Sequence, residues 1–444
     1  VIPLLSASQM RHADAVAVAG RGTDALVSAA GTAVGLEAKR MLRSCYGARV
    51  AVVVGPGLNG ADGRVAAAWL KSRGAHVDVI EVAHQPASLD GFELVIDAAF
   101  GLGCSRPYVA PAVSEGTMVL AVDLPSGVDA DTGEILGAPL AADVTLALGA
   151  VKPALVDGPS AMLTGELRFA GLSIVEESSD GVVEDRDLVA LVRRRADDHK
   201  WVHAVQVLAG SPLMPGAAEL AVRGALAGGA SMVRLSSRGE IAELVRLPPE
   251  VVHASDEHID RRCRAVVAGP GLGRDAPSWL RGRLAGVEVP VVLDADGLDR
   301  SLLPASMTPE GRWVLTPHEG EFSRLTGREL TANRFDVVRS FARDTGCVVL
   351  LKGPTTVIAD PTGRLRIVLS GTSALATAGT GDVLSGLIAA TIARGHDPLT
   401  ASALAAHLHG RAGARLPVYA PASALPGAVA SIMSGLSNFS RPRH

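Results

Sequence analysis

Short β-branched runs alternate with longer Ala- and Leu-rich segments along most of the chain. Strands apolar on both faces belong to parallel sheets covered on both sides, so the pattern predicts an α/β fold. In the first half it predicts strands at Arg49 to Gly55, His76 to Val82, Leu94 to Ala98, Met118 to Asp123 and Asp143 to Leu148. Helices are expected at Ser8 to Ala19, Asp24 to Arg43 and Asp62 to Arg73. In the second half strands are expected at Val205 to Ala209, Met232 to Leu235, Ala265 to Ala268, Val289 to Leu293 and Val348 to Leu351. Thr355 to Ala359 and Leu365 to Leu369 read as a hairpin turning at Asp360-Pro361-Thr362-Gly363. Helices follow at Thr380 to Ala393, Leu399 to Arg415 and Ala422 to Gly435.

The rhythm breaks at Glu176 to Asp187, a polar, acidic stretch that reads as an interdomain linker. The expected division is therefore 1–175, a linker at 176–187, 188–436, and a frayed tail at 437–444. A chain of 444 residues supports two or three domains, and 48% hydrophobic with 20% charged residues rules out bulk disorder. A net charge of −4 argues against a nucleic-acid partner. No apolar run reaches the ~18 residues of a membrane span, and Val1-Ile2-Pro3-Leu4-Leu5 is too short for a signal-peptide core. The four cysteines form no CxxC, so a reducing cytoplasm is the expected setting. Only five of the 42 basic residues are Lys, namely Lys39, Lys71, Lys152, Lys200 and Lys352. In so Arg-rich a chain, a retained Lys suggests a need for a point-charge ammonium.

In the first half, Gly55-Pro56-Gly57-Leu58-Asn59-Gly60-Ala61-Asp62-Gly63 joins a strand to a helix. Such a turn brings backbone N–H groups and a helix N-terminus to an anion, although the GxGxxG fingerprint is unmet. The plainer reading is a turn with Asp62 as N-cap. Asp97 and Asp123 end two further strands, each before a Gly-containing loop. Asn59, Asp97 and the Ser126 hydroxyl are hard oxygen donors suited to an alkali or alkaline-earth ion.

Together these pieces resemble the NAD(P)H-hydrate epimerase domain: Gln9-Met10-Arg11, GPGxNGxDG, DAxFGxG, DLPSG and Leu148-Gly149-Ala150-Val151-Lys152-Pro153, over Leu4 to Leu172. The resemblance implies a Rossmann-like three-layer sandwich with potassium on Asn59, Asp97 and Ser126. It implies Asp123 as acid/base and substrate contacts at Leu58, Asn59, Gly60, Ala61 and Asp62. The loop Gly101, Leu102, Gly103, Cys104, Ser105, Arg106 and Pro107 would hold the nucleotide. Two positions depart from the family pattern: its first Asn is Leu58 here and its second Gly is Ala61.

In the second half, Leu208-Ala209-Gly210-Ser211, Gly269-Pro270-Gly271-Leu272-Gly273, Leu293-Asp294-Ala295-Asp296 and Thr316-Pro317-His318-Glu319-Gly320-Glu321 each follow a strand. Four such elements on one sheet edge point to a nucleotide-sized cleft. His318 with Glu321 lacks the second His of a zinc site, so a substrate contact fits it better. Ala378-Gly379-Thr380-Gly381-Asp382 opens a long apolar helix. Its free N–H groups form an anion hole, and Asp382 beside them can take a proton from a hydroxyl under phosphoryl attack. Lys352-Gly353-Pro354-Thr355-Thr356 follows a strand, where a retained Lys fits a nucleotide contact. No Walker P-loop occurs.

GTGD with GPGLG, DADGL, TPHEGE and LKGPTT resembles the ADP-dependent NAD(P)H-hydrate dehydratase branch of the ribokinase-like superfamily, over Asp185 to Gly435. That implies a second doubly wound three-layer sandwich, Asp382 as catalytic base and substrate contacts at Ala217, Gly271, Gly273 and His318. Nucleotide contacts would fall on Lys352, Gly353, Pro354, Thr355, Thr356 and Gly381, with Mg²⁺ carried on ADP. The family's HKGxxG loop corresponds to His199 to Ala204, which lacks both glycines. The combined expectation is a homo-oligomeric repair enzyme for hydrated NADH and NADPH that acts on small molecules only. The alternative is a small-alcohol kinase fused to a non-catalytic nucleotide-binding or interaction module.

Overall fold

The computed structural model describes residues 1–174, 178–192, 199–254, 258–303, 311–327, 329–330 and 333–439. It divides into two compact units, one of residues 2–181 and one of Val1 with 182–444. The division falls within the stretch read as a linker; Glu176 and Glu177 at its head lie outside the described residues, as do 440–444 of the expected tail.

The first unit is built on six parallel strands in the order Glu166–Ala170, Val144–Leu148, Met118–Val122, Leu94–Ala98, Arg49–Val54, His76–Glu81. Alternation sorts its side chains. Val50, Val52 and Val54 join Leu94 and Ile96 beneath the helices Thr23–Leu42 and Leu58–Lys71, while Ala51, Val53 and Val95 face the other way onto Leu89, Phe92 and Tyr108. The helix Ala7–Arg21 starts at a capping box in which Ser6 and Gln9 exchange hydrogen bonds. The chain runs from Arg49–Val54 out to the edge at His76–Glu81 and returns on the other side at Leu94–Ala98. That reversal opens a crevice at the carboxyl ends of Arg49–Val54 and Leu94–Ala98.

In the second unit the order is Val251–His253, Met232–Ser236, Ala204–Leu208, Ala265–Ala268, Val291–Leu293, Trp313–Leu315, Val348–Leu351, Thr356–Ala359, Leu365–Val368, Gly181–Val182. Pairing is parallel as far as Val348–Leu351 and antiparallel through the hairpin. Asp360 closes the hairpin turn by accepting from the N–H groups of Thr362 and Arg364, both at 3.0 Å. The sheet's direction reverses between Ala204–Leu208 and Ala265–Ala268, which again sets a crevice at strand ends. The helices Pro215–Ala227 and Thr380–Ala393 cross in backbone contact: a Cβ on Gly224 would lie 2.2 Å from Val383 O, and one on Gly386 2.1 Å from Ala221 O. This crossing fixes the N-terminus that carries Asp382.

Three expectations need correction. The helix after Gly57 begins at Leu58, four residues earlier than expected, so Asp62 is not an N-cap but stands in the second turn. Glu166–Ala170 and Val251–His253 form strands that the pattern does not predict. The last helix, Leu425–Phe439, runs into the segment read as a frayed tail. Among the described residues no helix is long and apolar enough to cross a membrane.

Candidate active sites

At the first crevice a cavity of about 460 Å³ opens between the turn after Arg49–Val54 and the loop after Leu94–Ala98. Gly57, Leu58, Asn59, Asp62, Gly101, Leu102, Gly103 and Asp123 line it. Cys104, Ser105, Arg106 and Pro107 are not among the lining residues. Gly60 has a packing role: a Cβ there would meet Gly55 O at 2.0 Å, so only glycine lets the helix start so close to the strand. Leu58 is 56% exposed at the rim.

Asp123 adopts φ 67°, a left-handed conformation that Asp tolerates better than most residues. The turn aims its carboxylate inward, where Oδ1 accepts from Leu148 N–H at 3.0 Å and from the Lys152 ammonium. Lys152 is fully buried and also donates to the carbonyls of Leu148 and Ala150, at 2.8 and 2.9 Å. Its three donors are thereby used.

Asp97 is buried and accepts from Ser126 N–H at 2.9 Å, Ser126 Oγ at 2.6 Å and Ala99 N–H at 3.3 Å. Burial pushes its carboxyl up, and the bonds from Ser126 and Ala99 work against that shift. Ser126 Oγ also accepts from Phe100 N–H at 2.8 Å and lies 3.0 Å from Phe100 O. Asn59 borders the same loop, its Oδ1 3.5 Å from where a Gly101 Cβ would sit, and its buried Nδ2 has no partner among the described residues. Reversing the amide, whose orientation is an assignment, exchanges that unpaired N–H for an oxygen. A buried carboxylate, a hydroxyl, a carbonyl and an amide oxygen form a donor set of low charge that fits a monovalent cation.

At the second crevice Asp294 ends its strand almost fully buried, accepting from Thr316 Oγ1 at 2.8 Å and Lys352 Nζ at 3.0 Å. Lys352 Nζ also lies 3.8 Å from Glu321. Burial alone would lower the Lys352 pKa, but the carboxylates of Asp294, Glu321 and Asp382 raise it overall, so the ammonium is a fixed charge. A Cβ on Gly381 would sit 3.2 Å from Lys352 Nζ, which brings the helix N-terminus at Thr380 against that charge. Burial pushes the Asp382 carboxyl up to about 7, with Asp294 adding to the shift and Lys352 opposing it.

A cavity of about 800 Å³ lies alongside, lined by His318, Lys352, Gly353, Pro354, Thr356 and Gly381. Thr355 is not among its lining residues. Gly271, at φ 62°, packs against Ala217, whose Cβ lies 2.6 Å from where a Gly271 Cβ would be; Gly273 donates its N–H to Asp296 at 2.8 Å. His318 caps the helix Glu319–Thr326: its Nδ1 accepts from Glu321 N–H at 3.2 Å, and Glu321 accepts from His318 N–H at 2.9 Å. Among the described residues no group of three His, Cys, Asp or Glu is placed to hold a metal.

Residues 205–433 match a family described as NAD(P)H-hydrate dehydratase, and 23–90 with 80–154 match one described as YjeF-related protein N-terminus. The bifunctional NAD(P)H-hydrate repair enzyme of Thermofilum pendens is 37% identical over 431 residues, covering 82% of each chain. The chain belongs to the bifunctional NAD(P)H-hydrate repair enzymes. The solved ADP/ATP-dependent NAD(P)H-hydrate dehydratase of Bacillus subtilis, co-crystallised with ATP/Mg²⁺, has a TM-score of 0.52 at 30% identity, over 57% of this chain and 97% of its own. A ribokinase-like superfamily protein of Enterococcus faecalis, 21% identical over 59% of this chain and 98% of its own, shares the fold of the second unit at a TM-score of 0.53.

Within this repair-enzyme framework, three residues have roles that only the packed structure reveals. The rarity of Lys marks Lys152 as a point charge, but nothing in the sequence pairs it with Asp123. Asp294 reads from the sequence as a strand-end carboxylate, and only the structure pairs it with Lys352. His409 lines the second cavity from the helix Pro398–Gly413, with Nε2 3.0 Å from Thr380 O. Burial brings its pKa down to about 4, so the ring is neutral and donates to the carbonyl. Nothing in an Ala-rich helical pattern distinguishes that His from a core residue.

Proposed function

We propose that the chain repairs nicotinamide nucleotides carrying water across the 5,6 double bond of the ring. The first unit interconverts the R and S epimers at C6. The second unit dehydrates the S epimer at the expense of ADP. One observation carries the reading best: Asp382 stands in the first turn of the helix Thr380–Ala393, beside Gly381, where a Cβ would lie 3.2 Å from the Lys352 ammonium and which lines a nucleotide-sized cavity.

A phosphoryl group is held at that N-terminus and by Lys352, while Asp382 takes the proton of the C6 hydroxyl as its oxygen attacks phosphorus. AMP departs. The N1 lone pair then expels phosphate from C6, and loss of a C5 proton restores the double bond. Magnesium would enter with the nucleotide and would offset the charge of its phosphates. Ala217, Gly271 and Gly273 bound the hydrate's place, and Gly353, Pro354, Thr355 and Thr356 that of the nucleotide.

In the first unit Asp123, held by Lys152, exchanges a proton with the hydroxyl that C6 loses and regains. The loop from Gly101 to Pro107 and the turn from Leu58 to Asp62 hold the nucleotide. Asn59, Asp97 and Ser126 would hold potassium, whose charge steadies that loop against the substrate's phosphates. Conversion of R to S hydrate should be faster in potassium than in choline buffer, as followed by chromatography. Equal rates would remove the ion from the reading.

A further inference from the structure

The charged side chains lining the first cavity are Arg11 and Asp14 from the helix Ala7–Arg21, Asp62 from the helix Leu58–Lys71, Asp123 and Lys152. The three carboxyl groups have different surroundings. Asp123 accepts from an ammonium and a backbone N–H, the bonding pattern of a carboxylate. Asp62 is 7% exposed and, among the described residues, has neither a hydrogen-bond donor nor a cationic partner on its side chain. It stands beyond the first helical turn, where the positive potential of the N-terminus has largely faded. Burial pushes its carboxyl up to about 8, and the carboxylates of Asp123 and Asp14 add to the shift. Asp14 is only half-buried; burial raises it too, but Lys152 opposes the shift. One cavity thus presents a buried carboxyl without a cationic partner and a second carboxyl held by an ammonium, an arrangement that separates acid from base work.

We propose that Asp62 is the proton donor of the first site, the acid that complements Asp123. The inference rests on reading that site as the epimerase. In one direction, the N1 lone pair forms an N1–C6 double bond as the C6–O bond breaks. The Asp62 proton turns the departing hydroxyl into water. A water then adds to the other face of C6, the N1–C6 π pair returns to N1, and Asp123 accepts the released proton. One water leaves and one enters, with no change of oxidation state. The proton returns from Asp123 to Asp62 through cavity water before the next turnover.

The test follows R-to-S conversion by the full chain in potassium buffer, from neutral into alkaline pH, for wild type, Asp62→Asn and Asp14→Asn. Asp62 acts with its proton on, so the wild-type rate should be full below pH about 8 and fall as pH rises through it. Asp62→Asn should be slower by ~10²–10⁴-fold with KM little changed, and should lack the alkaline fall. Asp14→Asn should keep both the rate, to within about tenfold, and the fall. If Asp62→Asn melts early, Asp62→Glu carries the test, because it keeps a carboxyl and should retain conversion with an alkaline fall. An Asp62→Asn rate within about tenfold of wild type, an alkaline fall that survives in it, or a loss confined to Asp14→Asn would overturn the proposal. A wild type that converts nothing above the spontaneous background fails the epimerase reading itself, an outcome distinct from a failure of Asp62 alone.

Discussion

Replacing Asp382 with Asn should slow dehydration of the S hydrate by ~10²–10⁴-fold, the usual cost of losing a general base. The amide keeps the side chain's shape but cannot accept the hydroxyl proton. Lys352, Asp294 and the Gly379 to Gly381 amides stay in place, so affinity for ADP and hydrate should change little in a calorimetric titration. The pH profile supplies a second readout. The Asp382 carboxyl stands raised to about 7 by burial and by Asp294. It works as a base only without its proton, so the wild-type rate should climb as pH rises through about 7 and then level off. The variant should lose that rise. A variant retaining more than about a tenth of wild-type turnover would defeat the assignment.

Replacing Lys152 with Met should destabilise the first unit by ~3–5 kcal/mol, the range for removing one partner of a buried ion pair. Lys152 is fully buried, and its ammonium satisfies Asp123 and the carbonyls of Leu148 and Ala150. Met fills a similar volume but leaves the three acceptors without that donor. Hydrogen exchange in the full chain reads the effect locally. Amides of Met118–Val122 and Val144–Leu148 should lose protection, while those of Val348–Leu351 in the second unit keep theirs. The double variant Lys152→Met with Asp123→Asn should recover part of the loss, because Asn tolerates the left-handed backbone at φ 67° and removes the unpaired charge. Unchanged protection in Lys152→Met would show that the buried pair contributes nothing to this unit's stability.

Much of the fold is legible in the residues. Leu94–Ala98, Val348–Leu351 and Thr380–Ala393 fall where the pattern sets them, because each is a mainly apolar run that begins or ends at a turn signal. Glu166–Ala170 escaped because, at the sheet edge, its polar positions face outward and the run reads as loop. The start at Leu58 escaped because a helix N-terminus built of glycines carries no capping side chain to mark it. The strand-end carboxylates Asp97, Asp123 and Asp294 were visible as candidates. Their partners were less so: Lys152 and Asp123 lie 29 positions apart, and Lys352 and Asp294 lie 58 apart. Only strand order brings such pairs together, and strand order is a property of the packed sheet.

With both units on one chain, both hydrate epimers should return to the intact nucleotide. The most direct measurement incubates the full chain with a mixture of R and S hydrates, ADP, magnesium and potassium, following nicotinamide absorbance together with AMP and phosphate. The absorbance should recover in full, with AMP and phosphate released in amounts equal to the nucleotide repaired. Consumption of ADP with a phosphorylated product accumulating and no return of absorbance would contradict this expectation.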